Sequence, residues 1–161
     1  MTPSTHPILE RAAANGVALE MQGAVAVVRL CRPAKRNALN DALIEALRDV
    51  FQNLPAEARA AVIHGEGDHF CAGLDLSELK ERDAGQGLHH SRSWHVALDA
   101  VQLGRVPVIA ALHGAVVGGG LELALTGQSY AEIFAAAQAF AKVIQQQMPE
   151  LGMPRISYQP T

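Results

Sequence analysis

The sequence is short of the residues on which several classes of protein depend. Its 161 residues include only two cysteines, Cys31 and Cys71, and aromatic side chains make up only 4% of the chain. Two isolated thiols form neither a disulfide framework nor a zinc-type spacing, and so few aromatic rings argue against a stacking platform for single strands. The net charge of −3 leaves no basic surplus for nucleic acid. We therefore expect no nucleic-acid partner and a reduced, cytoplasmic setting.

Long apolar runs are also absent. No stretch approaches the roughly 18 apolar residues that a membrane-spanning helix requires, and the start of the chain lacks the basic-then-apolar order of a secretory signal. The histidines miss the i, i+4 spacing that places two metal ligands on one helix face, so no metal site is predicted. With 49% hydrophobic and 18% charged residues, the chain fits a globular domain without a membrane partner.

The apolar pattern alternates between short strands and helices. β-branched or apolar runs at 17–30, 60–65 and 106–112 predict strands, and the stretches at 41–53, 89–104 and from 118 onward predict helices. A short polar helix is predicted at 76–85. This order favours an α/β layer fold with buried, parallel central strands. We expect a lead-in over 1–15, a core over 16–126, and a C-terminal helix with an extended arm over 127–161.

Two loops of similar design carry the most specific signal. Each follows a predicted strand and opens a helix: Ala72-Gly73-Leu74 in one, and Gly118-Gly119-Gly120 in the other. Ligands of α/β sheets bind beyond the carboxyl ends of the strands, and amides at a helix start attract negative charge. If the loops are neighbours, one amide from each could hold a single oxygen as an oxyanion hole. Close helix–strand packing without a ligand is the alternative.

Glu122 follows the glycines within an apolar run. Partial burial would raise the pKa of its carboxyl toward a value suited to acid–base chemistry. A structural carboxylate, hydrogen-bonded to a neighbouring backbone, is the alternative.

The segments "RPAKRNALN", "GEGDHFCAGLDLSEL" and "PVIAALHGAVVGGGLELAL" resemble the crotonase superfamily, or enoyl-CoA hydratase/isomerase family. The resemblance covers about residues 15–125 and implies a ClpP/crotonase-like layered fold built from ββα units. It implies that the amides of Leu74 and Gly119 hold an acyl-CoA thioester oxygen, and that Glu122 is the first of two glutamates that hydratases use. It also implies no permanently bound cofactor, since coenzyme A arrives as part of the substrate.

The resemblance names further candidate contacts with coenzyme A. The "KRNAL" segment is similar to the part of the family that borders the adenine and phosphates, so Lys35, Arg36 and Ala38 are candidates there. The remaining substrate or coenzyme A candidates lie in the two loops: Ala72, Gly73, Asp75, Leu76, His113, Gly114 and Gly118. Asp75 has helix capping as its alternative role, and His113 has that of a satisfied structural histidine.

After "LELAL" the sequence departs from the family. The segment that would carry the second glutamate, with the helices that close the pocket and form trimers, is missing. The tail faintly resembles a later family segment, as though the stretch between were deleted. The resemblance implies an acyl-CoA enzyme that forms homo-oligomers, trimers or hexamers. A shortened, catalytically impaired unit that binds coenzyme A or serves only in assembly is the alternative. Binding of a nucleotide or dinucleotide is a third hypothesis, which the sequence disfavours because neither G-x-G-x-x-G nor G-K-[ST] is matched.

Overall fold

A computed structural model of the chain describes residues 7–78 and 83–126. Four helices and four strands alternate along these residues, with two single 3₁₀ turns in the connections. In chain order the elements are α1 (Pro7–Ala14), β1 (Val17–Gln22), β2 (Val25–Leu30), a 3₁₀ turn (Pro33–Lys35), α2 (Asp41–Gln52), β3 (Ala60–Gly65), a 3₁₀ turn (Leu76–Glu78), α3 (Ala84–Gln102), β4 (Val108–Ala111) and α4 (Gly119–Leu125).

The four strands form one sheet in the order β1-β2-β3-β4. The β1–β2 pair is an antiparallel hairpin, whereas β2–β3 and β3–β4 are parallel, with Val28 opposite Ile63 and Ile63 opposite Ala110. The predicted α/β class with parallel central strands is therefore confirmed. Because β2, β3 and β4 run in the same direction, the segments that follow them all leave from one edge of the sheet.

The core forms where the helices cover the sheet. Asn40 begins α2 by accepting a hydrogen bond from the amide of Leu43, at 3.0 Å, which satisfies one of the free amides of the first turn. Helix α2 packs against α1 and α3, and its apolar stripe is buried with strand residues such as Val28 and Ile63. The stripe comprises Leu43, Ile44, Leu47, Val50 and Phe51.

The connection between β3 and β4 differs from the predicted one. The single polar helix predicted at 76–85 is wrong: among its described residues, Leu76–Glu78 form one 3₁₀ turn, and Ala84 and Gly85 already belong to α3. Helix α3 begins at Ala84, five residues before its predicted start, because Asp83 and Gln86 form a reciprocal capping box. Its predicted end was also slightly late, since the helix closes at Gln102.

The chain divides into two units, residues 1–128 and 129–161. The predicted C-terminal helix and arm lie outside the described residues and stay a prediction, as does the division at residue 127. In the described part of the chain, no helix is both long and apolar enough to cross a membrane.

The packing of α2 gives the first prediction. Leu47 is 1% exposed and Leu103 is 74% exposed. Leu47→Ala is expected to lower the free energy of unfolding by about 2–5 kcal/mol, because it removes buried surface and leaves a cavity. The control Leu103→Ala is expected to change it by less than about 0.5 kcal/mol. Urea denaturation measures both, and equal losses would contradict the described packing of α2.

Candidate active site

The loops after β3 and β4 are joined by main-chain hydrogen bonds. The amide of Cys71 donates to the carbonyl of Ala115 at 3.0 Å, and the amide of Val117 donates to the carbonyl of Cys71 at 3.2 Å. This pattern is a short parallel bridge between Cys71 and Val116. It continues the parallel pairing of β3 and β4 past their ends. The two glycine-containing loops are therefore neighbours, as their common design predicts.

A second bridge fixes the peptide groups on either side of Leu74. The amide of Leu39 donates to the carbonyl of Gly73 at 2.7 Å, and the amide of Asp75 donates to the carbonyl of Leu39 at 2.8 Å. Because the hydrogen-bonding groups of an extended chain alternate in direction, the amide of Leu74 points away from Leu39. No acceptor for it exists among residues 7–78 and 83–126.

Helix α4 leaves a second amide free. The amides of Gly120, Leu121 and Glu122 donate to carbonyls of Val117 or Gly118. The amide of Gly119, the first residue of the helix, has no acceptor within the described ranges, as is normal for the first turn.

Gly73 brings these two amides close together. Its φ of +88° is one that residues with a side chain rarely adopt, and a Cβ built on it would lie 2.7 Å from the carbonyl oxygen of Val117 and 3.5 Å from the amide nitrogen of Gly119. The backbones of the two loops are therefore in contact at Gly73, one peptide unit from the free amide of Leu74. Glycine is required here because a side chain would fill the space between them.

The second loop is enclosed just as closely. A Cβ on Gly119 would lie 3.2 Å from the ring of Trp94 and 3.3 Å from the side chain of Leu39, and one on Gly120 would lie 2.9 Å from Sγ of Cys71. Gly118, with a φ of +52°, has open space where its Cβ would be. Glycine is thus required sterically at 120, where the backbone of Cys71 is within 3 Å, whereas at 119 the contacts are tight and at 118 it is required by the backbone conformation.

Glu122 is exposed, so the predicted partial burial is wrong. Helix α4 spans only seven residues and turns Gly120 and Leu123 toward the core. Glu122 lies about 130° around the helix from the middle of that buried face, because successive residues advance by about 100°. It is still on the helix that carries the free amide of Gly119.

Asp75 is 5% exposed, and both oxygens of its carboxylate accept hydrogen bonds. One oxygen accepts from the hydroxyl of Ser77 at 2.6 Å and from its amide at 3.2 Å, while the other accepts from the guanidinium of Arg32 at 2.9 Å. The hydrogen bond from Ser77, helped by Arg32 and opposed by burial, holds the pKa of Asp75 below its ordinary value. Asp75 therefore has the capping role given as its alternative, at the 3₁₀ turn that begins with Leu76.

The candidate contacts in the 33–38 segment lie beside this carboxylate. Lys35 is exposed, donates to Ser77 Oγ at 3.0 Å and lies 4.0 Å from the Asp75 carboxylate. Arg36 is exposed, with a left-handed φ of 51°, and its carbonyl accepts from the amide of Ala72 at 3.0 Å. Ala38 is buried, so its methyl group is not available at the surface.

Three other candidates are placed as follows. Leu76 is 71% exposed. His113 Nε2 lies 3.0 Å from the carbonyl oxygen of Gly67, which fits its structural alternative. At Gly114, with a φ of +55°, a Cβ would lie 2.0 Å from the carbonyl oxygen of Asp68, so the backbone passes close to the preceding loop.

The remaining titratable groups near the site do not form a metal centre or an activated thiol. In the ranges that the structure describes, no three His, Cys, Asp or Glu side chains gather as metal ligands would. Cys71 is fully buried, and burial raises the pKa of its thiol. Its Sγ accepts a hydrogen bond from the amide of Gly73 at 3.4 Å, which suits a packing role between the loops.

Two residues that organise the site escaped the sequence analysis. Asn37 is fully buried with a φ of 56°, and its Nδ2 donates to the carbonyls of Glu66 and His69. Its Oδ1 accepts from the amide of Arg32 at 2.9 Å. Asparagine tolerates left-handed backbone and bonds to nearby peptides, so its position after the Pro33 turn was the available signal. Arg32 had no comparable signal.

The fold and the paired loops define an α/β protein whose candidate site consists of main-chain amides beyond the carboxyl ends of the parallel strands. A family model for enoyl-CoA hydratase/isomerase matches residues 20–155. The chain therefore belongs to the enoyl-CoA hydratase/isomerase family, as the motifs predicted. The match also extends beyond residue 125, where the recognised motifs ended.

Individual relatives agree with this assignment. The chain is 36% identical over 115 residues to the short-chain-enoyl-CoA hydratase of Clostridium acetobutylicum, a match that takes in 70% of this chain and 44% of the relative. It is 57% identical to a proposed enoyl-CoA hydratase of Rhodopseudomonas palustris of known structure, with a TM-score of 0.68 over 70% of this chain and 44% of the other.

A third relative was solved with a ligand. It is a proposed enoyl-CoA hydratase of Thermobifida fusca in complex with acetoacetyl-CoA, 30% identical, with a TM-score of 0.66 over 74% of this chain and 51% of the other. The crotonase fold is thus confirmed. The chain spans only about half the length of the relatives it matches.

The contact at Gly73 gives the second prediction. Gly73→Ala adds a methyl group 2.7 Å from the carbonyl oxygen of Val117, whereas Gly23→Ala, at a φ of +59°, adds one with nothing within 4 Å. Gly73→Ala is expected to cost about 1–3 kcal/mol more than Gly23→Ala, the usual range for overpacking. Chemical denaturation of both variants measures the difference, and equal costs would contradict the close approach of the loops.

The lowered pKa of Asp75 gives the third prediction. A folded-state pKa below the ordinary 3.8 means that ionised Asp75 stabilises the fold above that pH and that this contribution disappears as the pH falls through the folded value. Asp75→Asn is expected to be less stable than wild type at pH 7, with a gap that narrows below pH 3.8. Unfolding curves across pH 7 to 2.5 measure this. If the difference in stability between wild type and Asp75→Asn does not change with pH, the charge of the carboxylate does not contribute to the stability of the fold.

Proposed function

We propose that this chain carries the thioester-binding part of an acyl-CoA enzyme of the hydratase/isomerase type. The amides of Leu74 and Gly119 would hold the thioester oxygen, and Glu122 would move a proton to or from the acyl group. The observation that supports this most is the meeting of two loops at Gly73, each with one main-chain amide that lacks an acceptor within the described residues.

Two amides at one oxygen are effective because the reaction concentrates negative charge there. Hydration or isomerisation of an enoyl thioester passes through an enolate-like state in which the carbonyl oxygen carries most of the charge. Donors that are already held in place stabilise that state without reorganising, and one such donor contributes about 2.7–4 kcal/mol to lowering the barrier. The bridges on both sides of the 71–75 loop provide this rigidity.

Coenzyme A would approach along the 33–38 segment. Lys35 and Arg36 are exposed cations beside the first loop, and such side chains suit phosphate recognition. The main chain of Ala72, Gly73, Gly114 and Gly118 and the side chain of Leu76 would border the rest of the substrate, while Ala38, Asp75 and His113 would support this wall. Coenzyme A enters as part of the substrate, and the proposal involves no permanently bound cofactor.

The exposure of Glu122 favours a second candidate function. An exposed carboxylate lacks the water-excluded surroundings in which acid–base groups of active sites are tuned for catalysis. Val117, Leu121 and Leu125, around the same helix, are 57%, 47% and 71% exposed, and exposed apolar patches mark interaction surfaces. The alternative is therefore a chain that binds coenzyme A or assembles into homo-oligomers, such as the trimers or hexamers expected above, without turnover of its own.

Turnover of crotonyl-CoA separates the two candidates and gives the fourth prediction. Glu122→Gln is expected to lower the hydration rate by about 10²-fold or more, because general acid–base catalysis contributes about 10²–10⁴-fold. Glu45→Gln serves as the control, since Glu45 is exposed on α2. Loss of absorbance at the conjugated double bond measures the rate. Equal rates in both variants would remove Glu122 from the mechanism, and a wild type that binds crotonyl-CoA without turnover would support the assembly alternative.

A further inference from the structure

Arg32 contacts both of the segments that are joined by the Leu39–Leu74 bridge, the main-chain pairing that orients the amide of Leu74. Its guanidinium donates to the carbonyl oxygen of Ala38 at 2.6 Å and to the carboxylate of Asp75 at 2.9 Å. The side chain of Arg32 is 19% exposed and that of Asp75 is 5% exposed. A charge-assisted pair so shielded from water holds a more definite geometry than a surface ion pair.

The two groups that Arg32 joins lie one on each side of the bridge. Ala38 precedes Leu39 on one segment, and Asp75 follows Leu74 on the other. The main-chain hydrogen bonds of Leu39 to Gly73 and Asp75 fix the distance between the segments. The guanidinium ties the same segments at a second point, and this restricts rotation of the peptide group that carries the amide of Leu74.

Arg32 is itself held firmly. Its amide donates to Asn37 Oδ1 at 2.9 Å, and its aliphatic stem packs on Gly16, where a Cβ would lie only 2.8 Å from Cγ of Arg32. Gly16 has a φ of +87° and so combines a conformation suited to glycine with space for the stem. The position of the guanidinium is therefore determined by four parts of the chain, around residues 16, 32, 37 and 75.

We propose that the Arg32–Asp75 ion pair is a positioning element that aims the amide of Leu74 at the thioester oxygen. This inference rests on the proposed function. Neither side chain touches the substrate. Their effect on the thioester passes through the Leu39–Leu74 bridge. Asp75 also lies 4.0 Å from Lys35, so Arg32 is the member of the pair whose substitution tests thioester recognition apart from recognition of the coenzyme A moiety.

Lysine at position 32 is the informative substitution. It keeps the positive charge for Asp75, but an ammonium lacks the planar fork that donates to the carbonyl of Ala38 and the carboxylate of Asp75 in a fixed geometry. Arg48→Lys is the matched control, because Arg48 donates at 2.9 Å to Asp49, another buried carboxylate, on α2. Asp75→Asn provides a second test, since it keeps the shape of the carboxylate while removing its charge.

The experiment compares the affinities of free coenzyme A and acetoacetyl-CoA by calorimetry. Acetoacetyl-CoA readily loses a proton from the carbon between its two carbonyl groups, and the resulting enolate places negative charge on the thioester oxygen, whereas free coenzyme A has no thioester. Arg32→Lys and Asp75→Asn are expected to reduce the preference for acetoacetyl-CoA over coenzyme A by about tenfold or more, as weakening an oxyanion donor would. Affinity for free coenzyme A is expected to change by less than about twofold in Arg32→Lys, and Arg48→Lys is expected to leave the preference unchanged. For Asp75→Asn only the preference is diagnostic, because Asp75 also lies 4.0 Å from Lys35.

The outcomes separate this inference from the proposed function. A wild type that binds coenzyme A but shows no preference for acetoacetyl-CoA contradicts the oxyanion site itself, and with it the positioning role. A wild-type preference that survives in Arg32→Lys and Asp75→Asn overturns the positioning role alone. Equal loss of both affinities, with parallel loss in thermal unfolding, would show a merely structural pair and would also overturn it. If Arg32→Lys fails to fold, Asp75→Asn alone decides the outcome.

Discussion

The candidate site depends on parallel main-chain pairing that continues beyond the ends of the strands. Leu39 pairs with Leu74, and Cys71 pairs with Val116. These isolated bridges hold the 71–75 loop between the segment after β2 and the segment after β4. A loop held on both sides by backbone hydrogen bonds cannot easily rotate a peptide group out of line. The amide of Leu74, which has no acceptor among the described residues, is thereby held in one direction by main-chain hydrogen bonds on both sides of its loop.

Glycine makes this arrangement sterically possible at the points of closest approach. At Gly73 and Gly120 a Cβ would fall within 3 Å of the neighbouring loop. The entropy that these glycines lose on folding is a real cost, and the neighbouring hydrogen bonds offset it. The three consecutive glycines therefore have different roles: Gly118 is needed for its backbone conformation, Gly120 is needed for space, and Gly119 packs closely against Trp94 and Leu39.

Much of the fold and of the candidate site could be predicted from the sequence. Apolar runs mark the strands because buried parallel strands carry apolar residues on both faces, and glycines after two of the strands mark the loops. The family resemblance supplied the specific amides of Leu74 and Gly119, which the structure places on contacting loops. The early start of α3 was missed because "AGQGLHH" has no apolar periodicity and depends on the cap by Asp83 and Gln86.

Other features depend on contacts between residues far apart in the chain. Arg32 meets Asp75 across 43 residues, and Asn37 meets Glu66 and His69 across about 30. Spacing along the sequence does not show such partners. The burial of Glu122 was mispredicted for a related reason: an apolar neighbourhood in sequence does not reveal which face of a seven-residue helix meets the core.

The position of Trp94 makes the candidate site accessible to fluorescence measurements. Trp94 is the only tryptophan in the chain, and its ring packs against Gly119, with its indole nitrogen 3.4 Å from Asp41 Oδ1. Tryptophan fluorescence from this protein therefore originates from a single indole next to one of the two free amides. The protein carries its own optical label at the place where the chemistry is proposed, so no dye or introduced fluorophore is needed to observe that place in solution.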